Sequence, residues 1–95
     1  MGQDMLSQDQ LDQDELLRRA QKAFEQANGS QRDVARALDL NRSSVSRALR
    51  HSGLKHAAVQ ARIVSVLEEA AVERRSRYEG KEVRHRWVVD PDISR

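Results

Sequence analysis

The tightest constraint on this chain lies between Ser30 and Arg50, "SQRDVARALDLNRSSVSRALR". Two short apolar-periodic runs, Val34, Ala35 and Leu38 and then Val45, Ala48 and Leu49, flank a turn at Asp39 and Leu40. Each run lays its apolar residues along one stripe of a helix. The chain here reads as helix, short turn, helix, in a three-helix unit. Ser30 with Asp33 three residues on approximates a capping box for the first helix. Asn41 suits the N-cap of the second, which is expected to run to about His51, where "HSG" brings Gly53 as a stop.

The remaining helix of the unit lies upstream. Leu16, Leu17, Ala20, Ala23, Phe24 and Ala27 recur at helical spacing from about Asp12 or Asp14, with acids in the first turn favouring the macrodipole. "NG" closes this helix, Gly29 being expected to take the left-handed conformation. Before it, "MGQDMLSQDQLDQDE" is rich in Gln and Asp and poor in apolar residues, so residues 1–12 are expected to form a disordered acidic tail.

Downstream, the stripe Val59, Ile63, Val66, Leu67 and Ala70 predicts one long helix over 57–78. "KEVRHRWVVD" then changes to a period of two, with Val83, His85, Trp87 and Val89 on one face and Arg84 and Arg86 on the other. A lone strand needs a partner. It pairs either with "SRY" across a turn at 79–81 or with a second subunit, and the second subunit is preferred.

Composition sets outer limits. Ninety-five residues suit one small domain, and a single Phe, Tyr and Trp leave a thin aliphatic core, so self-association is a reasonable expectation. The absence of cysteine excludes disulfides, thiolate chemistry and Cys-based zinc sites. No apolar run approaches the ~20 residues of a membrane helix, and no signal pattern opens the chain. A cytoplasmic, nucleoid-associated location is expected. The net charge of +2 is unevenly distributed. Asp4, Asp9, Asp12, Asp14 and Glu15 crowd the start without a base, whereas 41–60 holds Arg42, Arg47, Arg50 and Lys55 without an acid.

The paired runs meet the demands of a helix-turn-helix. Ala35 is the small residue where the helices cross, and Asp39 is one of the few non-glycines that tolerate positive φ in the turn. With Val45, Ala48 and Leu49 facing inward, Arg42, Ser43, Ser46, Arg47 and Arg50 occupy the outer face. That face suits the DNA major groove, where Arg forks to guanine or phosphate and a carboxylate would be repelled. Ser30, Gln31 and Arg32 at the first helix N-terminus suit a phosphate. Asn41 and Lys55 complete the expected contact set, with His56 beside Lys55 as a further phosphate candidate. The competing reading is a solvated basic face on an ordinary helix.

"AFEQANGSQRDVARALDLNRSSVSRALRHSGL", residues 23–54, resembles the Fis-type helix-turn-helix in its Asn-Gly stop, alanine-rich helix, "NRS" start and Gly-Leu close. "DVARALDLNRSSVSRAL" is also similar to the lactose-repressor type. The resemblance implies duplex-DNA binding, usually as a dimer, with residues 42–50 as recognition helix. The long segment after Leu54 departs from the Fis pattern, in which the motif normally closes the chain.

The expected fold is therefore mainly α. A three-helix helix-turn-helix domain (13–54) is followed by a C-terminal segment (55–95) of one long helix and a short β-strand, acting as a dimerisation element. The expected function is sequence-specific binding of double-stranded DNA by a homodimeric transcriptional regulator. No enzyme activity, metal, small-molecule cofactor or membrane partner is expected: His51, His56 and His85 lack ligand spacing, and no catalytic set fits. Two alternatives remain open at this point, a ring-forming assembly protein resembling small terminase subunits and a protein–protein adaptor retaining the fold.

Overall fold

A computed structural model describes residues 9–91, so the rest of the expected disordered tail, 1–8, lies outside the described residues. The elements run β1 (Asp9–Leu11), α1 (Gln13–Ala27), α2 (Gln31–Leu38), α3 (Arg42–Ala48), α4 (Leu54–Glu68), β2 (Ala71–Glu79) and β3 (Glu82–Asp90).

Local chemistry starts each of the first three helices. Asp12 and Glu15 form a full capping box on α1, each side chain accepting from the other's backbone N–H at 2.8 Å. Ser30 and Asp33 do the same for α2. Asn41 caps α3 by accepting from the Ser44 N–H at 2.9 Å. Such caps satisfy amides that a helix start otherwise leaves orphaned. The α2–α3 turn passes through Asp39 at φ 58°, the left-handed residue expected there, and the Leu40 N–H reaches back to the Ala35 carbonyl at 2.9 Å. The stop after α1 differs from expectation: Asn28, at φ 57°, takes the left-handed position instead of Gly29. An Asn side chain tolerates that region as few others do.

The core gathers Leu16 and Ala20 from α1, Val34, Ala35 and Leu38 from α2, Val45 and Ala48 from α3, and Ala57, Ile63 and Val64 from α4. Trp87 and Val89 of β3 close it from the sheet side. Ile63 is wholly buried, worth roughly 1.5–3 kcal/mol relative to exposure. Val66, expected in the buried stripe, is 42% exposed, whereas Gln60 is buried in its place.

The expected mainly-α fold with a long C-terminal helix is overturned. α4 stops at Glu68 because Glu69 turns left-handed at φ 53°, and the Ser65 hydroxyl binds the Ala70 carbonyl at 2.7 Å. The chain then returns as a hairpin. β2 and β3 pair antiparallel from Ala71–Asp90 to Glu79–Glu82, around a two-residue turn with Gly80 at φ 65°. A left-handed glycine at the first turn position is what a type II′ hairpin requires. β1 adds to the other side of β3 through Leu11–Trp87 and Asp9–Val89, giving an antiparallel sheet in the order β1-β3-β2. Asp9–Leu11, assigned to the tail by the sequence, are thus strand. The architecture is four helices packed on a three-stranded sheet, and the final strand finds its partners within the chain rather than on a second subunit. Among the described residues, no helix is long and apolar enough to cross a membrane.

Candidate nucleic-acid interface

α3 is short, and its position depends on what grips its end. It was expected to reach about His51; its helix closes at Ala48, and the chain tightens into a turn in which the Arg50 and His51 N–H groups both reach the Arg47 carbonyl. Two glutamine amides take the carbonyls released there. Gln60 of α4, fully buried, donates to the Ala48 carbonyl at 2.9 Å and to the His51 carbonyl at 2.7 Å. Gln21 of α1 donates to the Leu49 carbonyl at 2.9 Å. Two acceptors around one terminal group identify it as the NH2 end, so the Gln60 orientation follows from its partners. Its Oε1 has no partner among the described residues. That orphan oxygen carries a cost, offset by two carbonyls that would otherwise be stranded. Ser52, just beyond, donates to Asp14 at 2.6 Å, so the exit of α3 is tied to the first turn of α1.

With its inner face and its end secured, α3 turns its polar face outward. Gln31, Arg42, Ser43, Ser46, Arg47 and Arg50 line one shallow concavity. A second, lined by Ser30, Gln31, Arg32, Asp33 and Arg42, continues it across the start of α2. The expected contact residues of α2 and α3 therefore share one surface. Arg42, Arg47 and Arg50 are exposed and make no ion pair with any described residue. Asp33, the acid in this neighbourhood, has its carboxyl lowered below the usual range, chiefly by hydrogen bonds from the Ser30 backbone and side chain.

Some expected contact residues are already engaged. The Ser30 hydroxyl accepts from the Asp33 N–H, and the Asn41 side-chain oxygen accepts from both the Ser44 N–H and the Ser43 hydroxyl. Both residues organise helix starts, and what they offer a ligand is the geometry of the amides behind them. Lys55 lies outside the two concavities, on the first turn of α4. It contributes to a neighbouring basic cluster: the His56 pKa is lowered, first by burial and then by the charges of His51, Lys55 and Arg47. The His51 and His56 rings stand 5.6 Å apart. The sequence sets His56 beside Lys55 as a candidate phosphate contact just beyond the recognition helix, whereas His51 was not expected in the interface.

The second basic surface is largely hidden in the sequence. Arg75, Arg77, Arg84 and Arg86 line a concavity on the hairpin, together with Gln10, Ser76, Val88 and one acid, Glu79, which is paired with Arg84. Of the four arginines, the sequence shows only Arg84 and Arg86 as a strand face. No family model, no curated protein and no solved structure matches the chain.

Proposed function

We propose that this protein binds duplex DNA, reading the major groove with α3, and acts as a sequence-specific transcriptional regulator in the cytoplasm, on the nucleoid. The observation that carries the reading is the acid-free outer face of α3, where exposed Arg42, Arg47 and Arg50, without an ion pair among the described residues, share one surface with Ser43 and half-buried Ser46. Arginine forks suit guanine edges and phosphates, and serine hydroxyls bond to either. Gln31 and Arg32, in the first turn of α2, suit a flanking phosphate through backbone amides and side chains. The burial of Gln60 and its grip on the end of α3 support the reading as well, since base recognition needs a helix held in one position. The resemblance of residues 23–54 to Fis-type proteins agrees with it.

A two-fold dimer fits this function, with inverted half-sites about one helical turn apart. Its support is the outer edge of β2, which has no strand partner among the described residues, and exposed Leu54, Tyr78 and Val83. Mass in solution decides between a dimer and a ring.

The direct test is fluorescence anisotropy with a random-sequence duplex over a salt series. Affinity falling linearly in log–log salt supports phosphate contact, the slope counting the cations engaged. An absence of binding at low salt would remove the reading.

A further inference from the structure

We propose that the arginine face of the β2–β3 hairpin is a second phosphate-binding surface, engaging the backbone of the duplex that α3 reads; this rests on the reading above.

The register carries the inference. In an antiparallel pair, residues directly opposite share a face, and like charges there repel. Arg75 lies opposite Arg86, and Arg77 opposite Arg84. Glu73, Glu79 and Glu82 share this face, yet Glu79 lies opposite Glu82 and Glu73 opposite Val88. A hairpin arranged for its own stability would set each Glu across from an Arg. This one sets like against like. Glu73 and Glu79 reach Arg75 at 3.3 Å and Arg84 at 2.7 Å, while Arg77 and Arg86 have no ion pair among the described residues. A polyanion laid along the concavity compensates both Arg pairs at once.

Protection of the β2 edge against aggregation is the competing account of such charges. It does not explain why four of the five hairpin arginines, from both strands, collect on one face. The opposite face carries Arg74, with Ser76, His85, Tyr78 and Val83 beyond it.

The hairpin also borders the start of α1, to which the exit of α3 is tied. Ser52, at the exit of α3, bonds to Asp14, and Asp12, Gln13 and Asp14 border a cleft shared with Glu82, Val83, Arg84, His85 and Arg86. Two of the three acids in that cleft are engaged at the start of α1, where Asp12 caps the helix and Asp14 accepts from Ser52, and the third, Glu82, lies on the hairpin opposite Glu79. On this proposal a duplex passing the end of α3 continues onto the hairpin.

The test is the full-length double variant Arg77→Gln, Arg86→Gln. It breaks both like-charge pairs and leaves the two hairpin ion pairs in place. Anisotropy with a random 30-base-pair duplex over a salt series should show a log–log slope reduced by about two, roughly one for each phosphate no longer neutralised. The preference for a duplex pool enriched by the wild type over the starting pool should be unchanged, and the thermal midpoint should not fall. An unchanged slope overturns the proposal while leaving the α3 reading intact. A reduced preference at unchanged slope overturns it as well. A wild type that binds no duplex at low salt removes the α3 reading and this proposal together.

Discussion

α3 and the β2–β3 hairpin both hold arginines out to solvent, but they are secured in opposite ways. α3 buries Val45 and Ala48 in the core, and the turn beyond it is held by the Gln21 and Gln60 amides from two other helices. The hairpin is buried only at its base, where Trp87, Val88 and Val89 sit; from Glu73 to Glu79 its first strand is exposed on both faces. One surface is fixed by tertiary packing and the other by its own ladder and turn. The first is suited to base edges, where small displacements cost recognition. The second is suited to a backbone, which forgives them.

The largest expected effect tests whether the hairpin is anchored as described. Trp87→Ala should cost about 3–5 kcal/mol of stability, through reduced burial and the cavity left behind, read as a urea midpoint shift. A cost below about 1 kcal/mol would mean that the sheet is not fastened through Trp87. Next is the grip on α3. Gln60→Ala strands two carbonyls and opens a void, for an expected loss of about 2–4 kcal/mol, with affinity for DNA falling along with it. Full retention of both would show that Gln21 and the core position α3 unaided.

Arg47→Ala and Arg50→Ala address the surface itself. Each should weaken binding to a preferred site by about 1–3 kcal/mol with the circular dichroism signal unchanged; loss of helical signal would place these residues in the fold rather than on the face. Asn41→Ala removes the cap of α3 and should lower stability by about 1 kcal/mol, measured by thermal melting. A neutral outcome would assign the start of α3 to packing alone.

The smallest effect is in pH. Burial and the neighbouring positive charges hold the His56 pKa below its usual 6.5, so the unfolded chain protonates first as pH falls. Stability is then highest above about 6.5 and declines below it, toward the lower folded pKa. His56→Gln should flatten that decline between pH values of about 7.5 and 5.5. A decline of equal slope in the variant would point to other groups.

What the sequence reveals follows from where its signals are local. The caps at Ser30 and Asn41, the left-handed Asp39 and the polar face of α3 are each specified within a few residues, and all are legible. β2 is not. "AAVERRSRYE" is exposed on both faces beyond Val72, so it lacks the alternation that marks a strand, and its Arg and Glu residues favour a helix as readily. Glu69 carries no sign that it stops α4, since left-handed stops are usually Gly or Asn. β1 is three mostly polar residues, meaningful only beside β3. Gln60 is a polar residue inside an apolar stripe, and its role depends on carbonyls released by a different helix. With those pieces hidden, "SRY" is all the sequence shows of the partner strand; the structure pairs it with β3 at Ser76–His85, Arg77–Arg84 and Tyr78–Val83, in place of the preferred second subunit.

The order β1-β3-β2 also has a kinetic consequence. Of the described strands the central one is synthesised last, and its pairing with Asp9–Leu11 spans nearly the whole described chain. The hairpin can form by local zippering, whereas β1 can join only after the intervening helices have brought the two segments together, a closure whose entropy must be met first. Folding should therefore proceed with the helical face assembled before the sheet is complete, leaving one edge of β3 briefly uncovered at each synthesis.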